Sequence, residues 1–160
     1  MSAPWIGALH VAACAAALLL GTAMAAAPKG TRWHRQVGRA FVASMLVLNF
    51  SALGTYRLTG GFNGFHAFAL FSLASLAAGW WCARRARGNP GLREVHGWIM
   101  LWSYAGLLAA AASELAVRLP FLPRGGMAFG ATVAAATLLV CAVAAIRIER
   151  TMRRHRSTPR

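Results

Sequence analysis

The sequence predicts an all-α membrane protein with five transmembrane helices, and three observations carry that reading. First, 58% of the 160 residues are hydrophobic and only 12% are charged, against about a quarter charged in soluble domains. Second, Lys, Arg, Asp and Glu are missing from residues 1–28, 58–83, 95–113 and 125–146, each long enough to cross a bilayer as a helix. A fifth charge-free stretch, Ala40–Tyr56, reaches spanning length if Arg39 snorkels to the interface. Third, the basic residues alternate sharply between the gaps. Lys29, Arg32, Arg35, Arg39, Arg84, Arg85, Arg87, Arg93 and the six arginines from Arg147 to Arg160 fall on one side, and Arg57, Arg118 and Arg124 on the other. By the positive-inside rule, five spans with the N-terminus outside and the C-terminus inside satisfy every loop.

Taken in order, the helices are expected at about 5–27, 36–56, 62–83, 95–117 and 126–147, forming one domain over residues 1–147 with a basic cytoplasmic tail at 148–160. Spans one to four are expected to make an up-down four-helix core, with span five peripheral. The first span ends in GTAMAAAPKG, which has the small residues of a cleavage site. No Lys or Arg precedes it, however, and a signal peptide requires a basic n-region. Span two grows out of KGTRWHRQVGR and span three out of the glycine-rich loop LTGGFNGF. Span four follows RRARGNPGLRE, and span five follows RLPFLPRGG. Every proline falls outside these helix interiors, where it would remove a backbone hydrogen bond. No gap is long enough for a soluble domain, so any chemistry belongs to the bundle or its edges.

The net charge of +14 would suit nucleic acid in a soluble chain. Here the bases sit between apolar runs and read as topology signals beside anionic lipid, the expected partner, with no nucleic acid. Cys14, Cys82 and Cys141 lie in or beside spans without a CxxC or CxxCH, which gives no support to a redox dithiol or a covalently attached haem. Nucleotide-binding and hydrolytic metal motifs are equally missing.

Four histidines carry the functional reading. His10 and His66 fall near the outer ends of spans one and three, and His34 and His96 near the inner ends of spans two and four. In an up-down bundle those pairs are diagonal neighbours. Two imidazoles approaching one iron from opposite sides at matching depth is the ligand set of a b-type haem. Two such levels, separated by something on the order of 20 Å, suit electron transfer across a membrane, with haem iron as the metal and a quinone as the alternative occupant of the cavity. Gly7, His10, Cys14, Ala17 and Gly21 form a small-residue stripe, and Gly38 follows His34 by one turn. The stripe offers room for a ring or serves ordinary helix packing. Arg35, Arg39 and Arg93 lie near the inner pair and either bind propionates or act as topology charges.

Glu114 lies 18 residues after His96, five turns along the same stripe. It is expected either to relay a proton or contact a donor near the outer haem, or to pair with Arg118 one turn on. Asn49, Ser44, Ser51, Ser103 and Tyr104 read as interhelical hydrogen bonds. Trp5, Trp33, Trp80, Trp81 and Trp98 read as interfacial belts. His155 is assigned no role.

The segments KGTRWHRQVGRAF, SALGTYRLTGGFNGFHAFAL and HGWIMLWSYAGLLAAAASE resemble a family of bacterial multi-pass membrane proteins catalogued as a domain of unknown function. The likeness covers about residues 29–120 and implies the architecture and a plasma-membrane location without naming an activity. In plan, though not in local sequence, the chain is also similar to the two-haem transmembrane cytochromes b, with His10 and His66 matching one haem and His34 and His96 the other. The inner histidines depart from that pattern by lying at the very edge of the bilayer. The competing expectation is a non-enzymatic helical membrane protein, such as a transporter subunit or assembly factor, without cofactor. Donor, acceptor and oligomeric state are not encoded in any motif.

Overall fold

The computed structural model describes residues 4–54, 61–62, 64–116 and 126–157. Five helices follow one another: α1 (Pro4–Ala26), α2 (Arg32–Leu53), α3 (Gly64–Arg85), α4 (Pro90–Ala116) and α5 (Gly126–Ser157). Each contains a stretch long and apolar enough to cross a membrane, as the charge-free runs imply. Arg57, Arg118 and Arg124, expected in the outer loops, lie outside the described residues, as does the expected Glu114–Arg118 pair. The chain divides into two compact units, Met1–Ala77 and Ala78–Arg160, and the boundary falls inside α3.

Local capping explains where the helices depart from the expected bounds. At the first turn Gly30 adopts φ +80°, a left-handed conformation open to glycine because it lacks a Cβ. Thr31 then caps α2, its hydroxyl accepting from the His34 N–H at 3.0 Å, so α2 begins four residues before the expected start. Lys29 closes the preceding end by donating from Nζ to the Met24 and Ala25 carbonyls, where a cation also complements the helix dipole. Partial burial there pushes the Lys29 ammonium below the ordinary lysine value. The α3–α4 turn repeats this grammar. Gly88 has φ +76°, the Asn89 side chain accepts from the Leu92 N–H at 3.1 Å, and Pro90 occupies the first helical position, where its missing N–H costs nothing.

In the first unit α1 packs along α2 through Ala13, Ala17 and Gly21, spaced four apart on one face. Phe41, Met45 and Leu48 are buried on α2. The expected stripe is buried at Ala17 and Gly21, but Gly7 is exposed and Cys14 only half-buried. Beside Gly38, the space expected for a ring is taken by Met24, whose Cε would lie 3.3 Å from a Cβ at that position. Asn49, buried on α2, donates to the Ser72 hydroxyl of α3 at 3.0 Å and to its own Met45 carbonyl at 2.8 Å.

In the second unit α5 packs along α4. Ser113 on α4 donates to the Val133 carbonyl at 3.3 Å and lies 3.1 Å from Thr137 Oγ1. Ile148 and Met152 are buried with Ala105 against Trp98, Leu101 and Ala144. Those two residues, four apart in the arginine-rich segment, give the expected tail an apolar face, and α5 continues as helix through Ser157. At 1.5 Å per residue its 32 residues span about 48 Å, well beyond a hydrocarbon core of about 30 Å. Trp98 thus serves this packing, whereas Trp80 and Trp81 sit exposed beneath Arg84 and Arg85, with ring-to-guanidinium distances of 5.6 and 5.4 Å.

Two stability results follow. A Cβ at Gly79 would lie 2.7 Å from Met100 Sδ and 3.2 Å from Ile99 Cγ2, so Gly79→Ala should destabilise the protein by about 1–3 kcal/mol through overpacking. Gly38→Ala, which needs only a small shift of the Met24 methyl, should cost less. Chemical unfolding in detergent ranks the two, and the reverse order would contradict the packing described. A double-mutant cycle of Asn49→Ala with Ser72→Ala should return a coupling of about 0.5–1.5 kcal/mol, and no coupling would remove that bond from the account.

Candidate functional site

His10 lies on the α1 face that turns toward α2 and is half-buried. Its Nδ1 is 3.0 Å from Ser51 Oγ. Ser51 directs its own hydroxyl proton to the Leu48 carbonyl at 2.8 Å, so its oxygen receives from the imidazole. In the neutral ring this arrangement puts the His10 proton on Nδ1 and the lone pair on Nε2. Ser51, expected only as an interhelical bond, turns out to set the tautomer of a candidate ligand.

His96 reaches the same state by another route. Its Nδ1 is 2.9 Å from the Gly79 carbonyl oxygen of α3, and a carbonyl can only accept. Nδ1 therefore carries a proton, and in the neutral ring the lone pair is on Nε2. The close passage of α4 over α3 at Gly79 brings this carbonyl within reach, because any side chain there would meet Met100 and Ile99. Sequence reasoning missed this partner, since backbone acceptors leave no signature beyond a glycine within a helix.

His66 occupies the first turn of α3 and is 2% exposed. Its ring stacks on Phe62, with centroids 5.3 Å apart and planes 30° apart. Ala69 and Leu76 continue its buried face. His34, in the first turn of α2, is half-buried with Nδ1 enclosed by protein. His10 and His66 belong to the first unit, which α2 ties together through Ser51 on one side and Asn49 on the other. His34 and His96 belong to different units. Among the described residues no group of three or more His, Cys, Asp or Glu side chains is placed to hold a metal ion.

The remaining candidates are placed less centrally. Arg35 folds back to donate from Nη1 to the Gly30 carbonyl at 3.1 Å, which gives it a structural task in the turn. Arg39 and Arg93 are exposed. Glu114 is also exposed, whereas the preceding residue, Ser113, is 3% exposed. The expected interior stripe through His96 therefore does not continue to Glu114. The reason is that Ala105, Ala109 and Ser113, spaced four apart, form a buried stripe in the second half of α4, and Glu114 is rotated about 100° away from Ser113. Ser103 departs from expectation as well: its hydroxyl is enclosed and makes no hydrogen bond among the described residues.

Comparison with curated proteins and with solved structures finds no match. A family model does match, over residues 7–149, from the first turn of α1 well into α5. With five candidate spans and a match over most of its length, the chain is a multi-pass membrane protein and belongs to the family described as Predicted membrane protein (DUF2306).

Proposed function

We propose that this protein is a haem b-binding electron carrier of the bacterial plasma membrane, with the N-terminus outside and the C-terminus inside. The observation that supports this best is the shared state of His10 and His96. Each comes from a different expected pair, and each gives its Nδ1 proton to a neighbouring helix. Histidines that ligate a metal through Nε2 generally donate their other ring N–H in this way, which fixes the tautomer and raises the basicity of the ligating nitrogen. The donor chemistry of the residues present therefore fits haem iron.

In this reading His10 and His66 would hold an outer haem, and His34 and His96 keep their expected role as imidazoles for an inner one. When bound, each haem supplies one-electron redox chemistry. The chain's own contribution is to orient the imidazoles, through the Ser51 hydroxyl and the Gly79 carbonyl, and to exclude water around His66 with the Phe62 ring. Arg39 and Arg93 remain as cations for propionates. Glu114, exposed on α4, would accept a proton from a lipid-soluble quinol. One observation favours the rival class, a cofactor-free helical partner: Met24 fills the space beside Gly38, one turn from His34.

Purified protein made with adequate haem supply should carry about two haems per chain and show low-spin bands in the reduced-minus-oxidised spectrum. His10→Ala and His96→Ala should each remove one haem and leave the other. A haem-free preparation, or variants that retain both haems, would overturn the reading. The orientation is tested separately with C-terminal fusions. A C-terminal green fluorescent protein should fluoresce and a C-terminal alkaline phosphatase should be inactive, and the opposite pattern would invert the topology.

A further inference from the structure

The exposed face of α2 changes character along its length. Arg32, Arg35 and Arg39 occupy it over the first two turns, followed by Ala43, Leu46 and Phe50, all within about 60° of one direction on the helix. This direction lies opposite the buried residues Phe41, Met45 and Leu48. It is therefore the side of α2 that lipid meets, basic at one level and apolar deeper in.

The cations on this face have no carboxylate counterpart in their unit. The chain's three acids are Glu94, Glu114 and Glu149, and all belong to the second unit. Of the four bases at the α1–α2 turn, Lys29 and Arg35 are folded back onto backbone carbonyls. Arg32 and Arg39 take no part in those bonds and are exposed. They stand two turns apart, about 10 Å along the axis, so Arg39 must snorkel toward the level of Arg32. At the same α1–α2 turn, Ala23, Ala26, Ala27, Pro28 and Trp33 line an open, largely apolar niche.

We propose that this face of α2 binds an anionic phospholipid of the leaflet that meets the α1–α2 turn. The guanidinium groups of Arg32 and Arg39 hold the phosphodiester by charge-assisted hydrogen bonds, and an acyl chain runs along Ala43, Leu46 and Phe50. The inference stands apart from the haem reading and uses none of its residues except Arg39.

The test uses the full chain in detergent micelles, titrated with phosphatidylglycerol, with phosphatidylcholine of the same acyl chains, and with inorganic phosphate. Binding is counted by native mass spectrometry and followed by thermal unfolding. Phosphatidylglycerol should bind and raise the unfolding temperature more than phosphatidylcholine, and inorganic phosphate should do neither. Arg32→Gln/Arg39→Gln should weaken phosphatidylglycerol binding about twenty-five-fold, at roughly fivefold per guanidinium. Arg84→Gln/Arg85→Gln, which removes cations engaged on Trp80 and Trp81, should leave it unchanged. If the Arg32/Arg39 double variant is not recovered folded, the single variants decide, each at roughly fivefold. Equal effects of the two lipids, reproduction by inorganic phosphate, unchanged binding in the Arg32 and Arg39 variants, or equal loss in the Arg84/Arg85 variant would each overturn the proposal.

Discussion

A lipid bilayer offers no hydrogen-bond partner to a polar side chain inside it, and each unit of this protein is built around that restriction. In the first, α2 is the middle helix, giving Ser51 to His10 on α1 and Asn49 to Ser72 on α3. In the second, α4 plays the same part, giving His96 to the Gly79 carbonyl of α3 and Ser113 to α5. Because lipid and protein interior are equally apolar, such bonds and close packing of small residues supply the specificity that water supplies in a soluble core. Ala17 at 0% exposure and the bare backbone of Gly79 show how closely the helices approach.

The same bonds place the histidines in a defined chemical state. A histidine accommodated merely for packing could adopt either tautomer. His10 and His96 instead have their Nδ1 protons committed, one by a hydroxyl whose own proton is already used and one by a carbonyl that cannot donate. Structural need and ligand chemistry thus call for the same contacts. His66 differs, being placed by burial and by Phe62.

Five helices were legible in the sequence because charge is so costly in hydrocarbon that its absence marks a span. The helix starts were less so, since they depend on caps. The TRWH segment put the N-cap at Thr31 and GNPGL put it at Asn89, both in stretches read as basic loop. In the expected tail, Ile148 and Met152 were spaced for a helix face, but only the surface offered by Trp98 and Leu101 made that spacing count. The four histidines were found by position, and Ser51 by type. The Gly79 carbonyl had no signal, and Glu114 was misplaced because helical period alone does not say which stripe a neighbouring helix will bury. Packing of α5 on Ala105, Ala109 and Ser113 decided that.

The central claim is that His10 and His96 hold their protons on Nδ1 and present Nε2 as the base. Nitrogen-15 NMR of histidine-labelled, haem-free protein in lipid nanodiscs reads this directly, with His10→Ala and His96→Ala supplying the assignments. The account predicts that both rings, in their neutral form, carry the proton on Nδ1 and leave Nε2 unprotonated. An Nε2–H tautomer, or rapid exchange between tautomers at either residue, would contradict it.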